Sequence, residues 1–288
     1  MIAPVIQAAS NCSWVSALVI GFLCAVILCG MQSLHAGAVK TKLFLGIQWL
    51  WMLLIVSEFL HWIMLCWPNY GNYHVAPLLV LALAAYSLGK GRESACRVAG
   101  VLFWVVALLL GAVLFSGLRE IEPENLKPRW KMQTAYYVVV MLIPAMAPEK
   151  ESDTIQWKNA IFGTLVSVIT TGVLSLAYIE KTKAPFYEMA RAMSILGTAE
   201  RFESLVAAGM TLGYFVLITL LLRSTANAWE NRKNRKVGIW VSAAFIALVF
   251  ISGMRMNSRL LAVGTVLVWV VLPVLEKIAR NIKKPIDK

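Results

Sequence analysis

The sequence predicts an all-α, polytopic transmembrane bundle of about nine helices, and three observations carry that prediction. Composition is the first. Of the 288 residues, 59% are hydrophobic and only 15% charged, with a mean hydropathy of +0.71; soluble domains carry about a quarter charged residues. Spacing is the second: the apolar residues fall into blocks close to the length of a bilayer's hydrocarbon core, and lipid offers no partner to free backbone groups, so each block is expected to be helical. The alternating ten-residue strands of a membrane barrel are absent. Charge is the third: 27 Lys and Arg against 15 Asp and Glu leave a net charge of +12, and the basic residues collect between alternate blocks as positive-inside topology requires.

The first block, 12–31, follows an N-terminal stretch with no Lys or Arg before Lys40. It lacks the basic start of a secretory signal peptide and is expected to remain as a helix. The second, 43–67, is closed by Pro68-Asn69-Tyr70-Gly71-Asn72, a turn-forming run. The third, 76–89, is short; the fourth, 96–117, is long. The fifth, 132–147, reads MQTAYYVVVMLIPAMAP, with Pro144 and Pro148 in its second half. The sixth is 158–179. Segment 183–202 is amphipathic, with Phe186, Met189, Met193 and Leu196 at helical spacing. It is too polar to span and is expected to lie on the external surface of the bundle or to dip into it. The seventh block, 204–224, holds Gly209 and Gly213 as a GxxxG, read as close intrachain packing rather than a dimer face. Glu200, Arg201 and Glu203 open it: the acids suit a helix N-terminus, and Arg201 has Glu200, Glu203 and Glu188 as candidate partners. Blocks 237–254 and 259–276 complete the set, and a basic tail, 277–288, ends the chain. No polar stretch is long enough for a second domain, so 1–288 is read as one integral membrane unit.

Seventeen Lys and Arg fall on one side of this threading and ten on the other. The richer side is expected to be cytoplasmic, which puts the N-terminus outside and the C-terminus, after nine crossings, inside. The basic excess is assigned to those loops rather than to nucleic acid.

Catalytic motifs are missing: there is no P-loop, GxSxG, HExxH or CxxC. His35, His61 and His74 are too far apart for metal-ligand spacing, and the five cysteines (Cys12, Cys24, Cys29, Cys66, Cys96) lie in or beside apolar segments and read as packing residues. The expectation is a non-enzyme without metal or cofactor. The informative groups are polar residues at membrane depth, which are costly and often functional. Glu58 and His61 are three apart on the second helix and share a face; they would relay a proton or hold a cationic group, or else lie wet at the helix end. Gln133, Thr134, Tyr136 and Tyr137 open the fifth block, which is either a proline-broken helix exposing backbone to a substrate or a short helix anchored by a tyrosine pair.

Three stretches resemble the endospore germination permease family. Residues 76–97, APLLVLALAAYSLGKGRESACR, match an apolar helix followed by Ala-Tyr, a Lys-Gly pair and an Arg. Residues 121–128, IEPENLKP, are similar to that family's external Asp-Asn-Leu-Pro-type loop. Most specific is Pro185-Phe-Tyr-Glu188-Met-Ala-Arg191 with Ile195 and Glu200-Arg201-Phe202-Glu203. Glu58-Phe59 falls where the family tends to have an acid beside a phenylalanine. The family belongs to the amino acid–polyamine–organocation permease superfamily, so the resemblance implies two inverted five-helix repeats, here truncated. The match starts at the family's second helix, so its first helix, half of the broken-helix substrate site, is expected to be missing. The fifth block also lacks the family's mid-helix glycine and has Ala135-Tyr136-Tyr137 there.

By that resemblance the chain is a nutrient-sensing or transport subunit for an amino-acid-like solute. It would reside in the cell membrane, or spore inner membrane, of a spore-forming bacterium, with a second membrane subunit and a lipoprotein as partners. Glu58, Tyr136 and Tyr137 would face the ligand, with His61, Gln133 and Thr134 nearby. Pro185, Glu188, Arg191, Glu200, Arg201, Glu203, Gly209 and Gly213 would be structural or gating. A proton-coupled secondary transporter using Glu58 or His61, and a non-transporting scaffold, are the alternatives.

Overall fold

Long all-round apolar stretches between short polar turns fold here as helices alone. The computed structural model describes residues 2–35, 42–67, 74–90, 92–128, 134–146, 154–182, 184–192, 202–226 and 232–283, and among them there is no β-strand. In chain order the helices are α1 (Ile2–Ser10), α2 (Trp14–His35), α3 (Lys42–Leu65), α4 (Val75–Lys90), α5 (Arg92–Gly117), α6 (Ala135–Met141), α7 (Ile143–Met146), α8 (Thr154–Leu174), α9 (Leu176–Ile179), α10 (Pro185–Ala192), α11 (Phe202–Ala226), α12 (Arg232–Ile251), α13 (Ser258–Val266) and α14 (Leu272–Lys283). Six stretches are long and apolar enough to cross a membrane: Trp14–Met31, Lys42–Leu65, Arg97–Glu120, Trp157–Leu174, Ser204–Thr225 and Ser258–Ala279. The other three predicted blocks are the shorter apolar α4, the broken pair α6–α7, and α12, whose first turns are Arg232-Lys233-Asn234-Arg235-Lys236.

The outer layer presents its apolar residues to lipid. On α5, Trp104 is 74% exposed, with Val101, Leu108 and Phe115 alongside; α4, α12 and α13 show similar apolar faces. Inside, the second half of α3 is enclosed on all sides, from Ile55 to Ile63, as expected of a helix apolar around its whole circumference. α3 contacts α4, α11, α12 and α13, while α2 lies along α8, and α11 along α5 and α4. Lys42, Lys90, Arg97, Lys158, Arg235, Lys236 and Lys277 are exposed, with Lys42, Lys90 and Arg235 in the first or last turn of their helices.

Several elements differ from the sequence reading, each for an identifiable reason. Residues 2–10 form a helix ahead of the first predicted block. Eight of its nine residues are buried, and Ala3 meets Gly213 at the middle of α11. Ala, Pro, Val and Ile made this stretch apolar, but nine residues are far too few to span, so a spanning-length criterion passes over it. Its far end is held by α8, where the Ser167 hydroxyl donates to Cys12 O at 2.6 Å. The fifth block follows the broken one of its two sequence readings. α6 stops at Leu142, whose N–H turns back to the Val138, Val139 and Val140 carbonyls, and α7 restarts around Pro144, which cannot donate a helical hydrogen bond. The sixth block ends at Leu174, because Ser175 adopts a left-handed φ of 59° that a continuing helix excludes. The segment read as a basic tail from 277 is helical as far as Lys283.

Between α13 and α14 the chain makes a π-turn, Leu267–Val271. Pro273 lacks the N–H that Trp269 O would receive in an α-helix, and its ring crowds that carbonyl, so the turn widens. α3 takes up the loosened backbone: Gln48 Nε2 donates to Val268 O at 3.4 Å. One turn further along, Trp51 Nε1 donates to Thr265 Oγ1 at 3.2 Å, with the Trp51 ring occupying the space a Cβ would need at Gly264.

The described part of the amphipathic segment, 184–192, dips into the bundle; Met193 and Leu196 lie outside the described residues. Pro185, Phe186, Tyr187, Met189 and Ala190 of α10 are buried against α8, α11 and α1; Arg191 is exposed and Glu188 half-buried. Glu200 and Arg201 lie outside the described residues. Glu203 lies in the first turn of α11. Gly209 faces Leu109 and Leu110 of α5, and Gly213 faces Ala3 and Val106.

The connection 118–128 forms a strap of two 3₁₀ turns, Leu118–Glu120 and Pro123–Leu126. Glu122 N–H donates to Gly172 O at 3.1 Å, and Asn125 Nδ2 donates to the same carbonyl at 3.0 Å. Trp14 Nε1, at the start of α2, donates to Leu126 O at 3.0 Å. Gly172 is needed here: a Cβ would come within 2.8 Å of Ile121 Cγ2.

Candidate functional site

The seven-residue α6 enters the bundle beside α3 because its apolar residues, Val139, Val140 and Met141, are buried in the core, and it packs against α13, α1 and α2. That placement brings Tyr136 to α3. Its hydroxyl donates to Glu58 Oε1 at 2.9 Å. Glu58 is 6% exposed, within a spanning helix, where an unpartnered carboxyl would be severely destabilising. The α12–α13 connection adds to the surroundings: the Met256 backbone N–H and the Arg255 charge both act electrostatically on the carboxyl. Arg255 is exposed, beside Gly253, whose φ of +69° lets the connection turn tightly.

Aromatic rings complete the surroundings. Trp62, one helical turn after Glu58, meets Tyr136 edge-to-face at 4.9 Å and 78°. Phe59 and Tyr214 lie behind it, with ring centroids 5.4 Å and 6.2 Å from that of Trp62. A carboxyl beside electron-rich ring faces favours organic cations: the ring quadrupole and the acid both attract an ammonium group. Chemically, the arrangement is suited to holding and orienting a cationic group. Among the described residues no three His, Cys, Asp or Glu side chains converge.

The structure joins some sequence-predicted residues and separates others. Glu58 and Tyr136 meet. His61 shares the same stretch of α3 but engages other neighbours: its Nδ1 lies 3.0 Å from Ser57 O, so that nitrogen carries the proton, and its ring meets Phe250 of α12 at 4.8 Å. His74, before α4, touches the same Phe250 at 5.4 Å. Tyr137 points away from Glu58, into the seam between α2 and α8, where it is fully buried beside Gly21 and Gly163. Thr134 stands at the start of α6 with no side-chain cap bond. Gln133 lies outside the described residues.

Sequence reasoning missed Trp62, Tyr214, Arg255 and Met256. Trp62 was within reach, because i and i+4 share a helix face and Glu58 was already singled out. Arg255 and Met256 carried no local signal, since only the packing of α12 and α13 brings them to α3.

No protein-family model matches the chain, and no curated protein matches it.

Proposed function

We propose that this chain is a permease-like membrane subunit that binds a small nutrient bearing an ammonium group, amino-acid-like in character, at Glu58. The observation that carries the reading is the buried Glu58 carboxyl, held from across the bundle by Tyr136 and walled by Trp62. A bundle has no structural need for an acid at such depth. The resemblance of 76–97, 121–128 and 185–203 to endospore germination permeases supports a sensing or transport subunit in a spore-forming bacterium. It would work in the cell membrane, or spore inner membrane, with a second membrane subunit and a lipoprotein. The Lys and Arg distribution supports an external N-terminus and a cytoplasmic C-terminus. The solute would act by favouring one of two arrangements of the bundle.

The test uses purified full-length protein in detergent with a panel of L-amino acids, their decarboxylated amines and their deaminated acids. The expected result is a raised Tm with at least one ammonium-bearing compound, lost in Glu58→Gln. Liposome uptake under an imposed proton gradient then separates the alternatives. Flux abolished by Glu58→Gln identifies a proton-coupled secondary transporter; stabilisation without flux identifies a sensor. Absence of both, with co-purifying subunits, identifies a scaffold and refutes the solute-binding reading.

A further inference from the structure

We infer that Tyr137, seated in a notch made by Gly21 and Gly163, is the positioning residue of the Glu58 site: the notch sets the rotation of α6, and that rotation presents Tyr136 to Glu58. The two tyrosines are consecutive on one helix and project about 100° apart. A single choice of helix phase therefore fixes both. Helix α6 cannot make that choice by itself. It has seven residues, no side-chain N-cap, and an end at Leu142 where one N–H is shared among three carbonyls; isolated helices under about 12 residues are marginal even with good sequences. Side chains must set its phase, and Tyr137 has the least freedom of those on α6.

The fit is close on both sides. A Cβ at Gly163 of α8 would lie 2.9 Å from Tyr137 Cε2 and 3.0 Å from Cζ, and closer still to the hydroxyl. A Cβ at Gly21 of α2 would lie 3.1 Å from the hydroxyl. Both glycines thus give up side-chain volume to one ring. Among the described residues the buried Tyr137 hydroxyl has no hydrogen-bond partner. The ring is held by shape, so the notch acts as a gauge for α6. The competing account is that the packing of α13 against α6 sets the phase and the notch merely tolerates a bulky residue.

A double-mutant cycle separates the two accounts without any ligand. Tyr136→Phe, Glu58→Leu and their combination are made in the full chain, and Tm is read in detergent. In the wild-type background the combined loss should fall short of the sum of the single losses, because the two groups share one bond. The cycle is repeated in Gly163→Ala and, as a milder probe should that variant fail to fold, in Gly21→Ala. The expected result is that the shortfall vanishes and the two losses add. In Gly21→Ala, further change of Tyr137→Phe removes the nearest atom that the new methyl meets, leaving Ala160 Cβ at 3.2 Å, and the shortfall should return; a merely structural role predicts no such rescue. A shortfall unchanged by filling the notch overturns the positioning role and leaves the solute-binding reading standing. No shortfall even in the wild-type background sinks both.

Discussion

Tyr136 and Tyr137 allow one chemical change to be made twice, with opposite expected results. Removing the Tyr136 hydroxyl takes from Glu58, 6% exposed, the one side-chain donor it has among the described residues. Losing a donor to a buried carboxyl costs about 1–3 kcal/mol. At roughly 2–4 °C per kcal/mol for a chain of this order of size, Tyr136→Phe should lower Tm by about 2–12 °C. Tyr137→Phe deletes a hydroxyl that is buried and unpartnered. Its burial already opposes folding, and the ring that fills the notch is retained. That variant should hold Tm or raise it by a few degrees, roughly the value of a small gain in ΔG. The assay is differential scanning fluorimetry of purified protein in one detergent, with circular dichroism confirming unchanged helix content. Equal losses in both variants would refute the assigned partners, because they would mean that Tyr137 also holds a bond or that Tyr136 holds none.

Three further outcomes follow from the packing. Gly264→Ala places a methyl inside the Trp51 ring and should destabilise by about 1–3 kcal/mol, as overpacking does; the companion Trp51→Leu should recover part of the loss in the same melting assay. Pro273→Ala supplies the N–H that Trp269 O lacks, so the π-turn should tighten towards α-helix and the Gln48–Val268 bond should weaken; slower amide exchange across 269–273 by mass spectrometry checks it. Single cysteines at Asn125 and Lys158, introduced after replacing the native thiols, should be labelled by an impermeant maleimide from opposite sides of the membrane; labelling of both from one side would break the threading.

Why some of this was legible in the sequence and some not comes down to distance along the chain. The spanning blocks announce themselves because each is locally apolar for its whole length, as in Trp157–Leu174. Helix ends were also readable where a turn-former stands, as at Pro68. Breaks governed by a single residue were legible only where a proline marks them: Pro144 offered a broken helix as one of two readings of the fifth block, whereas Ser175 turns left-handed with no glycine to mark the place. The half-length α1 was invisible for a different reason, since nine apolar residues signal nothing without the surrounding helices that bury them. For the site, Glu58 and Tyr136 stood out as polar groups at depth, yet their pairing depends on which way α6 faces. That direction is a property of Gly21 and Gly163, two residues with no chemistry to notice.

The strap has a mechanical consequence for the helices it ties. Its bonds to Gly172 and Trp14 hold the C-terminal end of α8 against the N-terminal end of α2. The Phe22–Trp157 ring contact joins the same two helices again further along. The Gly21–Gly163 notch lies between these two ties, so the pair is stapled on both sides of Tyr137 and the notch keeps its width.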